Sequence, residues 1–396
     1  MPATLTRKKK PAARSKRPAP VKVSAAPPKP SKPRPPTTPY PGRMERLRAL
    51  MTRAGVDHCL VTNPIDVGYL TGFLGGESYL LVGPARPVVI SDFRYDEELN
   101  PQRSLCDVYM RKRPILDAAA DVIRQVHAGR VGVQAEFMPV ADMTILSAMV
   151  GEGRVKPLDP IVGKLRVIKD SFEIPLIRAA LKIQQDALDA VLPKLKPGMT
   201  ELEVAARLEA EMKSRGSSQP GFQSIIATGA NAALPHYRPA KVKIAPNKVL
   251  LIDWGATFQG YQGDMTRTFA FRKWPDKFAE IYKIVLDAQE MSAAALGPGQ
   301  STHVIDGIAR AHIVRHGYGD KFGHGLGHGL GMSKEPPYLN PLYPAINLEV
   351  GHVCTVEPGI YLPGQGGIRI EDQYVITETG AENLCSMPKD LKWATL

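Results

Sequence analysis

The sequence is poor in cysteine, has no long apolar run and, over its first 43 residues, holds no acid. Each shortage excludes something. The 4 cysteines (Cys59, Cys106, Cys354, Cys385) lack zinc-ribbon spacing, and a chain of 396 residues does not depend on disulfide staples. Reduced thiols in a cytoplasmic protein are the expectation. No apolar stretch approaches the ~18 residues of a membrane span, so no membrane partner is expected. The acid-free region also lacks the apolar segment of a secretory signal.

That region carries 12 of the 51 basic residues and 12 of the 36 prolines. The rest of the chain is charge-balanced, so the net charge of +12 belongs to residues 1–43. Such a segment buries too little apolar surface to offset its ordering entropy, and it reads as disordered or extended. It could be a solvated extension, an electrostatic contact for nucleic acid, or a cleaved organelle-targeting segment. Nucleic acid, if a partner, would be reached through this tail only.

Residues 44–165 read as an α/β layer domain. A short helix over Met44–Ala54 precedes apolar runs at Cys59–Thr62, Tyr79–Val82, Val88–Ser91 and Val131–Gln134. Helical patterns fit Ile115–Val126 and Met138–Met149. No reactive cluster stands out, which suggests a positioning or oligomerising role. Residues 166–396 read as a mixed domain with helices on an antiparallel-rich sheet. Helices are expected over Asp170–Leu192, after the capping box Thr200/Glu203, and over Pro275–Leu296 and Ser301–His316.

The chemistry concentrates in the second domain. Five of the nine residues Gly323–Gly331 are glycine, with His324 and His328 between them. So much glycine argues against a helix and suits a backbone that approaches a ligand closely. Upstream, the apolar run Val249–Ile252 ends in Asp253, and after a turn over Gly255–Gly260 a return strand starting at Tyr261 carries Asp264, so a hairpin would bring the two acids together. Side-by-side carboxylates repel unless a cation neutralises them. Glu357 and Glu371 also follow strand-like runs. Four acids and an imidazole suit two hard or borderline divalent ions, which can share and acidify a water and polarise a carbonyl. Mn²⁺ fits first, with Co²⁺, Zn²⁺ or Fe²⁺ as other candidates. Arg369 is placed to orient Glu371 or balance the acids.

The segments Asp253-Trp-Gly, Asp264-Met-Thr-Arg-Thr, Gly327-His328-Gly-Leu-Gly, Glu357-Pro-Gly-Ile-Tyr and Ile370-Glu371-Asp372, in this order, resemble the pita-bread metallopeptidases, in particular their Xaa-Pro aminopeptidase and prolidase branch. Asn63-Pro-Ile-Asp-Val-Gly-Tyr69 and Asp92-Phe-Arg-Tyr95 resemble the creatinase-type domain that precedes the catalytic domain there. The resemblance implies an α/β creatinase-like domain followed by an α+β pita-bread domain. It implies a dinuclear centre on Asp253, Asp264, His328, Glu357 and Glu371, a proton-shuttling Glu357, and substrate-binding, oxyanion-stabilising His236 and His324. It also implies a homodimer that cleaves after an N-terminal residue followed by proline. Methionine aminopeptidase shares the ligands but not the extra domain. The intact ligand set disfavours the metal-free creatinase reaction. A non-catalytic peptide- or protein-binding member of the fold, with a nucleic-acid-contacting tail, is the alternative from another class.

One departure stands out. The family's His-Glu pair, expected seven to eight residues after the metal histidine to contact substrate, is replaced by Lys334-Glu335, one residue early. Lysine donates but cannot accept a hydrogen bond.

Overall fold

The computed structural model describes residues 38–396. The disorder, nucleic-acid and targeting expectations for the tail fall on residues 1–37, outside the described residues. The stretch just before Met44 corrects the tail boundary. Helix α1 runs Tyr40–Ala54, with proline in its first turn, where no amide hydrogen is needed, and Gly55 closing it at φ 71°.

The first domain is a six-stranded mixed sheet of β1 (His58–Val61), β2 (Tyr79–Val82), β3 (Val88–Ser91), β4 (Asp107–Met110), β5 (Val131–Gln134) and β6 (Val155–Leu158), in the order β4-β3-β2-β1-β5-β6. Strands β1 and β5 pair in parallel, as do β3 with β4 and β5 with β6, whereas β1–β2 and β2–β3 are antiparallel. Both faces of β1, β3 and β5 are buried, which explains their unbroken apolar character. Helices α2 (Pro64–Thr71), α3 (Ile115–Gln125) and α4 (Val140–Val150) accompany the sheet. The fourth begins at Val140 rather than Met138, because Pro139 stands in an extended conformation before it.

A short helix α5 (Gly163–Arg166) leads to the second domain, whose outer helices are α6 (Glu173–Val191), α7 (Glu201–Ser214), α8 (Asp276–Ala294) and α9 (Thr302–Arg315). The capping box at Thr200 forms, with both reciprocal hydrogen bonds present. Ile177, Leu181 and Leu188 of α6, and Phe278, Ile281, Val285 and Ala288 of α8, face the core. One sheet contains β7 (Ile225–Thr228), β8 (Val249–Trp254) and β11 (Met265–Ala270) in the order β11-β8-β7. A small hairpin of β9 (Thr257–Phe258) and β10 (Tyr261–Gln262) connects β8 to β11. The other large sheet holds β12 (Gly327–Leu330), β13 (Lys334–Leu339), β14 (Val353–Val356), β17 (Asp372–Thr377) and β18 (Gly380–Asn383), while β15 (Gly359–Leu362) pairs with β16 (Gly366–Arg369). A bridge between Thr266 and Glu371 joins the sheets. The site lies at that junction. Among the described residues, no helix is long and apolar enough to cross a membrane.

Buried charges tie the two domains together. Arg43, in α1, is 2% exposed; its guanidinium donates to the Tyr69 carbonyl at 2.7 Å and lies 2.9 Å from Asp170 and 3.3 Å from Glu173. Burial pushes Glu173 up to about 7 even with Arg43 beside it. Removing the cation strands that carboxylate. Arg43→Ala is therefore expected to cost about 3 kcal/mol, the lower end for a broken buried pair, because Glu173 can take up a proton. Urea unfolding should show a larger loss at pH 8 than at pH 6, and adding Glu173→Gln should recover part of it. An equal loss at both pH values would exclude the uncompensated carboxylate as its cause.

Candidate metal centre

Strand pairing assembles the site. Asp253 near the end of β8 faces Thr266 of β11 across the ladder, and Asp264 stands one residue before β11. Side chains on a strand alternate, so Thr266 shares the face of Asp264, and the Thr266–Glu371 bridge brings the third acid to the same place. Oxygen atoms of Asp253, Asp264 and Glu371 all lie within 4.8 Å of one another, with all three residues buried. His328, on β12, puts Nε2 3.6 Å from Asp264 and 3.5 Å from Glu357, which follows β14 directly. The structure thus brings Asp253, Asp264, His328, Glu357 and Glu371 into one cluster.

The second half of the glycine-rich segment, Gly327–Leu330, forms strand β12, and its pairing demands glycine. A Cβ on Gly327 would collide with the Thr355 carbonyl, and one on Gly329 with that of Pro336. Bare backbone lets β12 lie between β13 and β14 with the imidazole of His328 aimed at the acids.

The orientation of His328 reveals what the cluster needs. Its Nδ1 lies 3.0 Å from the Gly329 carbonyl, which can only accept, so Nδ1 carries the proton. Burial, with some help from Lys334, pushes the imidazole down to about 3, so the ring is neutral. Its Nε2 lone pair then faces two carboxylate oxygens. Lone pairs facing lone pairs repel unless a cation sits among them. The carboxylates make the same point. Burial above all, then Asp253 and Glu357, hold Asp264 well above the usual range; burial, then Asp264 and Glu357, do the same to Glu371. Burial likewise raises Asp253 and pushes Glu357 up to about 7. Asp253 Oδ1 and Glu371 Oε1 are buried without a hydrogen-bond partner. These residues fit divalent cations: a mainly oxygen donor set, one neutral imidazole and two unpartnered buried oxygens.

Of the supporting groups, Arg369 is expected from the sequence, whereas Thr266 and Thr355 are not. Arg369 donates to Asp253 at 2.6 Å and to the Thr266 hydroxyl at 3.0 Å, and that hydroxyl donates to Glu371 at 2.6 Å. Arg369 thus balances Asp253 directly and orients Glu371 through Thr266. The Thr355 hydroxyl accepts from the His328 amide at 3.1 Å and donates to Glu357 at 3.3 Å. The signal that could have found them is strand alternation, which sets Thr266 on the face of Asp264 and Thr355 on that of Glu357. No sequence signal located their partners.

The two other histidines differ. His324 uses both ring nitrogens: Nδ1 donates to the Gly325 carbonyl at 2.7 Å, and Nε2 accepts from the Tyr361 hydroxyl at 2.8 Å. Tyr361 in turn accepts from Arg369 at 3.0 Å. His324 lines the cleft, but neither nitrogen is free for an oxyanion. His236 is exposed, and its ring opens on the cleft. The cleft has two lobes, of about 230 and 540 Å³, which share His236, Asp253, His328, Lys334 and Glu357. The expected substrate-contacting pair is split. Lys334 faces the cleft, whereas Glu335 is 4% exposed, 2.7 Å from Lys169 and 3.4 Å from Arg166. Glu335 therefore serves the domain junction, because alternation along β13 points the two side chains to opposite faces.

Residues 175–378 match the model for metallopeptidase family M24, and residues 43–168 match that for the creatinase/prolidase N-terminal domain. An uncharacterized peptidase of Bacillus subtilis is 38% identical, covering 88% of this chain and 99% of the relative. An Xaa-Pro dipeptidase of Pyrococcus furiosus is 34% identical over the same shares. Among solved structures, an Xaa-Pro dipeptidase from Bacillus anthracis matches with a TM-score of 0.85 at 33% identity, covering 90% of this chain and 100% of that one. An X-Pro aminopeptidase from Thermotoga maritima matches with a TM-score of 0.81 at 31% identity, covering 89% and 99%. The fold is that of these proteins: a creatinase-like domain followed by a pita-bread domain.

Proposed function

We infer the reaction from one premise: the chain belongs to metallopeptidase family M24. It is a metal-dependent exopeptidase that hydrolyses the bond between an N-terminal residue and a following proline, as the names of its relatives indicate. The neutral His328, aimed lone pair first at two carboxylates, carries the metal-dependent part of this reading. The non-catalytic alternative finds no support among the relatives, which are named as peptidases.

Asp253, Asp264, His328, Glu357 and Glu371 would hold two divalent ions. When bound, these ions supply Lewis acidity toward the scissile carbonyl and lower the pKa of water. The protein's own groups do the rest. Glu357, half-buried at the junction of the two lobes, is placed to take the proton of the attacking water and pass it to the proline nitrogen, which cannot leave unprotonated. His236, whose ring faces the cleft, donates to the oxygen on which negative charge develops. His324 is a positioning residue that acts through Tyr361 on Arg369 and so on Asp253.

Four finer assignments belong to the same reading. Mn²⁺ is the preferred metal, because oxygen donors dominate the set. The protein is a homodimer, by family resemblance. It works in the cytoplasm, a reading supported by four buried, unpaired cysteines. The basic tail supplies any contact with nucleic acid. After loading with Mn²⁺, the enzyme should hydrolyse Xaa-Pro dipeptides and leave Met-Ala peptides intact. A loaded enzyme inert on Xaa-Pro dipeptides and on longer Xaa-Pro peptides alike would overturn the peptidase reading.

A further inference from the structure

Lys334 is the charged group shared by both lobes of the cleft that the reaction does not use. It opens β13 and lines both lobes together with Asp253, His328 and Glu357. It stands close enough for its charge to bear on Asp264, Glu357 and His328. Two of the acids around it are engaged elsewhere, Glu335 with Lys169 and Asp253 with Arg369, and Glu357 accepts from the Thr355 hydroxyl. Lys334 cannot fold back onto Glu335, because the strand turns that carboxylate to the opposite face.

Metal loading sharpens the question. Four carboxylates offset the charge of two divalent ions, which leaves Arg369 and Lys334 as surplus positive charges; Arg369 is held by Asp253, Thr266 and Tyr361, and Lys334 opens on the cleft. Lys334 is exposed where the two lobes meet, and like charges that share a cleft repel, so an anion between them is favoured. An ammonium has three donors and no acceptor, so the group it seeks is an anion or a carbonyl. A two-residue substrate brings its own anion. The free carboxylate of an Xaa-Pro dipeptide lies one residue from the scissile bond, and Lys334 lines the same cleft as the candidate metal ligands. In a longer peptide that position is an uncharged amide. Arg238, which lines the larger lobe, adds to the positive field on the same approach.

We propose that Lys334 anchors the free carboxylate of the substrate and so makes this enzyme select dipeptides over longer Xaa-Pro peptides. The inference rests on the Xaa-Pro reading above. It differs from a role on the scissile carbonyl, which every substrate carries.

The test compares Ala-Pro with its C-terminal amide, Ala-Pro-NH2, on the Mn²⁺-loaded full chain and on Lys334→Met and Lys334→Arg. A charge-assisted hydrogen bond implies that the full chain prefers the carboxylate by about 10- to 100-fold in kcat/KM, mainly through KM. In Lys334→Met that ratio should fall to about 1, and Lys334→Arg should restore much of it. The proposal is overturned if the full chain cleaves both substrates equally, if the ratio survives in Lys334→Met, or if both substrates lose activity in parallel. Calorimetry with a reduced-bond Ala-Pro analogue and its amide gives an independent readout. If no variant turns over any peptide, the reaction assignment fails, and the same carboxylate-over-amide ratio in binding still decides for or against Lys334.

Discussion

Asp264→Asn should abolish hydrolysis and, in the same molecule, raise the thermal stability of the chelated protein. The two effects have one cause. Asp264 is buried beside Asp253 and Glu371; burial raises all three above the usual carboxylate range, and the neighbouring acids add to it at Asp264 and Glu371. Without a cation the cluster works against the fold, and exchanging one acid for an isosteric amide relieves it. With cations the sign reverses, because a ligand that bears charge has been lost. Lewis-acid assistance amounts to several kcal/mol of transition-state stabilisation, so kcat/KM should drop by about 10³-fold or more. Calorimetric scans with chelator and with Mn²⁺ separate the effects. The chelated variant should melt above the chelated parent, and the metal-induced gain should vanish. If the variant melts below the parent in chelator and still gains stability from Mn²⁺, the acids do not form a cation site.

The second large effect is a pH dependence of opposite sign in the two metal states. Glu357 is pushed up to about 7, chiefly by burial, and the other acids of the cluster are raised as well. A carboxyl whose pKa is raised by folding contributes stability that is complete below its ordinary value of 4.5 and is lost as pH rises through about 7. For the chelated protein, this cluster therefore favours pH 5 over pH 8. Metal binding needs the deprotonated forms, so it releases protons and tightens as pH rises. Each proton released steepens binding by about 1.4 kcal/mol per pH unit. The difference in unfolding free energy between loaded and chelated protein isolates the site from other titrations, such as that of Glu173. That difference should grow between pH 5 and pH 7. Titration calorimetry in buffers of different ionisation enthalpy counts the protons directly. A flat difference and no proton release would mean that these acids are already ionised before metal arrives.

Much of the fold was legible because its signals are local. The apolar runs of the first domain sit at the strands found, since a strand buried on both faces needs no alternation. The capping box at Thr200 and the core faces of α6 and α8 depend on neighbours within a few residues. The start of α1 was misplaced because Pro39, Pro41 and a row of basic residues look like a tail; only the contact of Arg43 with Asp170, 127 positions away, shows that they belong to the body. The candidate site divides the same way. Asp253 and Asp264 were paired by a hairpin, whereas Arg369, Thr266 and Glu371 are joined across more than 100 positions.

The sequence by itself determined the kinds of donor: four acids and an imidazole on strand-like segments, and glycine where bulk would block close pairing. It also determined that a lysine stands where a histidine was expected. Only the tertiary structure decided which of these groups face one another. It engaged both nitrogens of His324, turned Glu335 to the domain junction and left Lys334 in the cleft. The physical reason is range. Backbone preference and side-chain alternation act over a few residues, but the direction of a hydrogen bond or a lone pair depends on partners that only the packed sheets bring together.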